Sequence, residues 1–278
     1  MNSNGKTVLI TGGNSGIGAA AAKALALQGF SVVIACRNQD KATRVRDEIN
    51  RETGNGTVSV LKLDLGSFRS VRECASQFHA QHQRLDVLVN NAGLAPPRKA
   101  LTEDGFEQQF GVNHLGHYLL TRLLIGLLKQ SAPARIIHTS SMMHWLGSIN
   151  PASFRGETFY NPLGAYGQSK LANILFSNEL ARRLKNDGVV SNAFHPGGVD
   201  TGIYDSYPRP VSAIIKRFLI PAEKGADTAV WLASDPAAAG ISGRYFINRK
   251  EARTSAKARN PGLAAELWDE SARLCGLD

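Results

Sequence analysis

Thr11-Gly12-Gly13-Asn14-Ser15-Gly16-Ile17-Gly18 is the stretch whose reading decides the fold. An apolar run of strand length, Thr7 to Thr11, leads into it, and an Ala-rich segment of helical period, Ala19 to Gln28, leads out. Three glycines, Gly12, Gly16 and Gly18, therefore stand at a strand-to-helix turn. Glycine lets the chain reverse sharply there and lets a pyrophosphate approach backbone N–H groups at the positively polarised end of a helix. A Gly-rich string is a weak signal by itself; strand, turn and helix in that order make it a dinucleotide-binding signal.

Outward from this turn, apolar runs rich in Val, Ile and Leu recur at Ser31 to Arg37, Val58 to Asp64, Leu85 to Asn90, Arg135 to Ser141, Val189 to His195 and Arg244 to Asn248. Segments of helical period lie between them at Phe68 to His82, Phe106 to Lys129 and Lys170 to Leu184. Strands that are apolar throughout, alternating with helices, predict a parallel sheet covered on both faces. The expected fold is α/β: a doubly wound Rossmann domain with a seven-stranded parallel sheet spanning residues 1–278. Two segments break the alternation, at about residues 142–165 and 203–220, and both follow the carboxyl ends of strands, where ligand crevices form. They are the expected substrate-pocket loops, with apolar candidates Met142, Met143, Trp145, Leu146, Ile203, Tyr204, Ile214, Ile215 and Phe218. Residues 249–278 read as a basic tail ending in a helix.

At 278 residues and 43% apolar content, the chain can bury the core of one α/β domain. No run approaches the roughly 18 apolar residues of a membrane span, and the polar stretch Met1 to Lys6 enters the first strand directly. A soluble, cytoplasmic protein without a transmembrane anchor is expected. Cys36, Cys74 and Cys275 are too far apart for a zinc or disulfide motif, so no metal is expected. The net charge of +9 comes without aromatic-basic interleaving, and nucleic-acid binding is not expected. His114, His117, His138, His144 and His195 lack metal-ligand spacing with paired acids and are read as hydrogen-bonded structural histidines.

The glycine spacing is GxxxGxG, preceded by Thr11, and in this the chain resembles the short-chain dehydrogenase/reductase family. Further motifs of that family occur in order: Asp64-Leu65, Asn90-Asn91-Ala92-Gly93, Gly111-Val112-Asn113-His114, Tyr166-Gly167-Gln168-Ser169-Lys170 and Pro196-Gly197, with Thr201 beyond. The resemblance implies that the cofactor lies against Gly12, Asn14, Ser15, Gly16, Ile17 and Gly18 in the turn, with Arg37 and Asn38 after strand two. It adds Asp64 and Leu65 after strand three, Asn91, Ala92 and Gly93 after strand four, then Tyr166 and Lys170, and finally Pro196, Gly197, Val199 and Thr201 after strand six. In NAD-binding members an acidic residue ends strand two, about 20 residues past the glycines, and bonds the ribose hydroxyls. Here Cys36 and Arg37 stand at that point. An arginine fork holds a 2′-phosphate that a carboxylate would repel, so NADP(H) is the expected cofactor.

Tyr166 and Lys170 are four apart and share a helix face. A phenol exchanges its proton poorly near neutral pH, and a neighbouring ammonium favours the phenolate. Tyr166 is thus the expected acid-base group; the resemblance adds that Lys170 bonds the nicotinamide ribose and that Asn113 holds a relay water. Of the adjacent Ser140 and Ser141, strand alternation turns only one toward the crevice, and alignment with the family favours Ser141 as the donor to the reacting oxygen. Catalytic residues are therefore expected at Asn113, Ser141, Tyr166 and Lys170.

The segments Val32-Val33-Ile34-Ala35-Cys36-Arg37-Asn38 and Tyr166 to Asn173, together with His195-Pro196-Gly197, resemble the retinol dehydrogenase-like branch. This implies a small hydrophobic alcohol or carbonyl substrate, interconverted by hydride transfer, and a homodimer or homotetramer formed through the helices carrying Asn113 and Tyr166. The sequence departs from membrane-bound members in lacking an N-terminal hydrophobic anchor. The alternative is a noncatalytic NADP(H)-binding regulator or scaffold of the same fold; such proteins usually lack a member of the Asn, Ser, Tyr, Lys set, which is complete here.

Overall fold

Strands that are apolar on both faces are stable only between two layers of helix, and the computed structural model, which describes residues 5–54, 56–198 and 220–277, arranges them so. The strands β1 (Thr7–Thr11), β2 (Ser31–Cys36), β3 (Val58–Lys62), β4 (Val87–Asn90), β5 (Ala134–Thr139), β6 (Val189–His195) and β7 (Tyr245–Ile247) run parallel, in the order β3-β2-β1-β4-β5-β6-β7. The helices are α1 (Gly16–Leu27), α2 (Gln39–Thr53), α3 (Phe68–Gln81), α4 (Gln108–Phe110), α5 (Gly116–Gln130), α6 (Pro162–Arg183), α7 (Ala222–Ser234) and α8 (Pro261–Cys275). None of them is long and apolar enough to cross a membrane, among the described residues.

Alternation along each strand divides the core in two. Leu9, Val33, Leu88 and Ile136 face α3, α5, α6 and α8, while Val8, Ile10, Val32, Ile34, Val87, Val89 and Ile137 face α1, α2 and α7. The strand order reverses between β1 and β4, which opens a crevice at their carboxyl ends.

Among the described residues the sheet has eight strands, not the expected seven. After β7 the chain makes a two-residue turn at Asn248 and Arg249, both at positive φ (49° and 60°), and β8 (Lys250–Glu251) returns antiparallel. Positive φ at both central residues matches the strand twist of a tight hairpin. Two charged, exposed residues carry no apolar run, so the pattern that finds the other strands passes over this one.

The expected helix at Phe106 to Lys129 is also interrupted. Between α4 and α5, Gly111–Leu115 forms a π turn, closed by the Gly116 N–H on the Gly111 carbonyl. A widened turn barely alters the apolar period over five residues, so the interruption is silent in the pattern. Helix α6 begins at Pro162, within the segment expected to be loop and well before Lys170. Asn161 caps it by accepting from the amides of Leu163 (3.0 Å) and Gly164 (3.2 Å), with proline in the first turn, so Asn161-Pro162 is a helix start and not a loop marker.

The basic tail is core-forming. Asn260-Pro261 starts α8, Gly276 at φ 61° ends it, and its apolar side packs on α5 and α6. The Tyr118 hydroxyl donates to the Trp268 carbonyl (2.9 Å), Ser271 meets His114 Nε2 (2.9 Å), and the guanidinium carbons of Arg122 and Arg183 lie 4.7 and 4.5 Å from the Trp268 ring. Trp268→Ala empties a site that is 7% exposed and should cost about 3–5 kcal/mol in equilibrium denaturation; a loss under about 1 kcal/mol would mean that α8 docks only lightly.

Candidate active site

The turn after β1 is built around contacts that no side chain could share. A Cβ on Gly18 would lie 2.4 Å from the Gly12 carbonyl oxygen and 2.6 Å from Asn91 Nδ2, so only glycine allows α1 to start this close to the β4 loop. Ser15 caps α1 without a side-chain hydrogen bond, and no acidic residue occupies the first turn, which leaves the helix start suited to an anion. Thr11 ties the turn to the neighbouring loop: its hydroxyl accepts from the amides of Asn91 (2.9 Å) and Ala92 (3.0 Å), and its carbonyl accepts from Asn91 Nδ2 (2.9 Å).

A cleft of about 430 Å³ opens here, at the carboxyl ends of β1, β4, β5 and β6. The structure brings most of the expected residues to its walls. Gly12, Asn14, Ser15, Ile17 and Gly18 line it from the turn; Arg37, Asn38, Asp64 and Leu65 from beyond β2 and β3; Asn91, Ala92 and Gly93 from beyond β4. Ser141, Tyr166, Lys170, Pro196 and Gly197 complete it. Gly16 belongs to the turn, at φ 50°, without lining the cleft. Val199 and Thr201, and the expected pocket residues Ile203, Tyr204, Ile214, Ile215 and Phe218, lie outside the described residues.

Lys170 is fully buried, its ammonium 5.3 Å from the centre of the Tyr166 ring and donating to the Thr139 carbonyl at 3.3 Å. Burial pushes it down to about 8. Alternation predicts that only one serine turns toward the crevice, yet both line the cleft. Ser140 donates to the Lys170 carbonyl (2.7 Å) and so braces α6, and Ser141 caps the short helical turn Met142–Leu146, accepting from the Met143 amide (3.2 Å).

Asn113 stands behind the wall, in the π turn. Its side-chain oxygen accepts from the Leu94 amide (2.9 Å), and its Nδ2 donates to the Leu94 carbonyl (2.9 Å) and to Ser169 Oγ (3.0 Å). A Cβ on Gly93 would come within 3.3 Å of Asn113 Oδ1 and 3.4 Å of Lys170 Nζ, so glycine keeps this corner open. At the far end, Arg37 is exposed and forms no ion pair among the described residues. Burial pushes the Cys36 thiol up to about 11, so no negative charge forms at the end of β2 near neutral pH.

A family model, short chain dehydrogenase, matches residues 6–210. The chain is 46% identical to human retinol dehydrogenase 11 over 275 residues, covering 98% of this chain and 86% of that protein. The chain is a short-chain dehydrogenase/reductase of the retinol dehydrogenase-like branch. Among solved structures, an uncharacterised protein of Mycobacterium paratuberculosis superposes on this short-chain dehydrogenase/reductase with a TM-score of 0.80 at 36% identity, covering 98% of this chain and 94% of that one. A short chain dehydrogenase of Shigella flexneri complexed with NADP superposes at 0.69 with 25% identity, covering 90% and 99%.

Sequence reasoning missed several wall residues of this dehydrogenase. Leu94 and Val112 line the cleft as plain apolar residues with no signal of their own, and His195, read as structural, also lies on its wall, whereas Met143 lines it as expected. Expected pocket residues Met142, Trp145 and Leu146 are exposed and absent from the cleft wall. The histidines also divide. His117 and His144 use both ring nitrogens, whereas His114, His138 and His195 each keep one buried ring nitrogen without a partner among the described residues. The hydroxyl of Thr139, another cleft residue, is likewise unpartnered. Polar atoms left open at the cleft, together with an uncapped helix start and the glycine corner, fit a polar dinucleotide.

The buried ammonium has a consequence for stability. The folded chain binds the Lys170 proton more weakly than the unfolded chain, whose lysine titrates near 10.5, so charged Lys170 costs about 3 kcal/mol at neutral pH. The sign follows: that cost is present below about pH 8 and disappears as the pH rises from about 8 to 10.5. Lys170→Met should therefore unfold at a higher temperature than the wild type at pH 7, with the gap closing by pH 10.5. Parallel unfolding midpoints across that range would mean that Lys170 titrates as it does in water.

Proposed function

We propose that this chain, acting as one domain, is an NADP(H)-dependent oxidoreductase that interconverts a hydrophobic alcohol with its ketone or aldehyde, using Tyr166 as the acid-base group. The observation that carries the reading is the Lys170 ammonium, withdrawn from water 5.3 Å from the Tyr166 ring, with Ser141 in the same cleft. A bound nicotinamide supplies or accepts the hydride at the substrate carbon. In reduction, Tyr166 gives its phenolic proton to the substrate oxygen and Ser141 hydrogen-bonds that oxygen as charge develops on it. In oxidation Tyr166 takes the proton back. Lys170 favours the phenolate through its charge, and Asn113 holds the Leu94 backbone, which fixes the loop facing both residues.

Support for the phosphorylated cofactor comes from the end of β2. Arg37 is charged and unpaired among the described residues, the neighbouring thiol stays neutral, and a structural relative carries NADP in its crystal. Support for a hydrophobic substrate comes from the segment after β5. Of seven large apolar side chains exposed among the described residues, Met142, Trp145, Leu146, Phe159 and Leu163 belong to it, flanking Ser141 and Tyr166 in sequence. The retinol dehydrogenases it resembles are named for an apolar alcohol. Self-association through α5 and α6, which the family resemblance implies, would have to accommodate α8, which already packs on both.

Two substitutions test the reading. Arg37→Asp should weaken NADPH binding roughly 10- to 100-fold while changing NADH binding far less; equal losses for the two cofactors would remove the specificity argument. Tyr166→Phe should keep NADPH affinity within about threefold and lower kcat by at least about 100-fold against a panel of aldehydes and ketones. Retained turnover in that variant would falsify the acid-base assignment.

A further inference from the structure

His117 lies on α5, fully buried, and reaches two elements that build the cleft. Its Nδ1 is 3.0 Å from the Asn113 carbonyl oxygen, and its Nε2 is 2.8 Å from Thr11 Oγ1. A carbonyl oxygen only accepts, so Nδ1 carries the proton. Burial pushes the imidazole down to about 4, with the Lys170 charge acting in the same direction against the Asn113 hydrogen bond, so the ring is neutral near pH 7. Nε2 is then a bare acceptor, and the Thr11 hydroxyl must donate to it.

That single proton settles the rest of the Thr11 hydroxyl. A hydroxyl has one donor and two acceptor directions. With the proton on His117, the two lone pairs meet the amides of Asn91 and Ala92, and every valence is used. The competing acceptor is the Val89 carbonyl, at 3.4 Å, near the limit of hydrogen bonding. Were the proton to turn there, one lone pair would swing toward the imidazole and one loop amide would lose its acceptor. A cationic imidazole would be worse, offering a third donor to an oxygen with two lone pairs.

We propose that His117 is a positioning residue of the cofactor site: its fixed tautomer sets the direction of the Thr11 hydroxyl, and Thr11 in turn holds the Asn91-Ala92-Gly93 wall against the Gly-rich turn. Its other nitrogen anchors the π turn that presents Asn113, so one ring joins the two sides of the site. The consequence for cofactor binding rests on reading the cleft as an NADP(H) site; the consequence for the loop does not.

The test compares three variants by amide hydrogen exchange without cofactor and by NADPH fluorescence titration. His117→Asn keeps a donor for the Asn113 carbonyl and removes the acceptor for Thr11; His117→Gln places an amide oxygen near the lost Nε2; His117→Phe keeps the ring and removes both bonds. The Asn and Phe variants should exchange the Asn91 and Ala92 amides at least about tenfold faster than the wild type and bind NADPH about tenfold more weakly. His117→Gln should return both quantities to within about threefold of the wild type. Wild-type exchange at these amides in His117→Asn, or a His117→Gln variant no better than His117→Asn, overturns the proposal, because a residue that merely fills space would not separate the two. If His117→Phe does not fold, the Asn and Gln pair decides. A wild-type protein that fails to bind NADPH sinks the cofactor reading alone, since the exchange comparison still decides the role of His117.

Discussion

An ammonium group withdrawn from water is expensive, and this fold places one beneath the open end of its sheet. Among the described residues Lys170 finds a single carbonyl, that of Thr139, and the face of Tyr166. Much of the surrounding structure serves to keep it there. Ser140 ties its backbone to the end of β5, and Asn173, one turn further along α6, donates to the same Thr139 carbonyl (3.0 Å). Such a group is tolerated because a parallel sheet and its flanking helices over-determine its position. The strain sits where a charge can act on a neighbouring phenol, consistent with the general observation that perturbed groups collect at sites of chemistry.

Around that charge, the cleft is assembled from segments distant in sequence by a small number of shared atoms. Thr11 Oγ1 gathers β1, the loop after β4 and α5; the Asn113 carboxamide gathers the π turn, Leu94 and α6. Each is a hub of several shared hydrogen bonds, and a hub of that kind fails as a unit. The loop from Asn91 to Leu94 is therefore held from both ends, by Thr11 at its start and by Asn113 at its finish.

Much of this was legible in the sequence, for identifiable reasons. Strands buried on both faces are near-continuous apolar runs, and the Gly-rich turn can be built from few other residues, so β1 to β7 and the cleft opening followed from pattern alone. Alternation does not choose between Ser140 and Ser141, since both line the cleft, so the preference for Ser141 rests on the family alignment. What escaped had no periodic or compositional trace. The π turn keeps the helical apolar period; β8 is two charged residues; Asn161-Pro162 looks equally like a loop. The apolar side of α8 acquires meaning only against Tyr118 and Phe176, whose rings lie 5.3 and 5.8 Å from Trp268. His117 was the hardest to see, since its partner Thr11 is 106 residues away and a lone histidine within a helix has no signature.

The hairpin that ends the sheet bears on how the molecule meets its own copies. A parallel sheet that stopped at β7 would present a row of unpaired amides and carbonyls beside Tyr245 and Phe246, a template on which another chain could crystallise a strand of its own. Instead the chain doubles back for two residues, lysine and glutamate, with the turn pinned by Arg249 to Asp227 and to Thr228. So short and charged a border resists extension, which leaves this side of the protein protected against edge-to-edge aggregation.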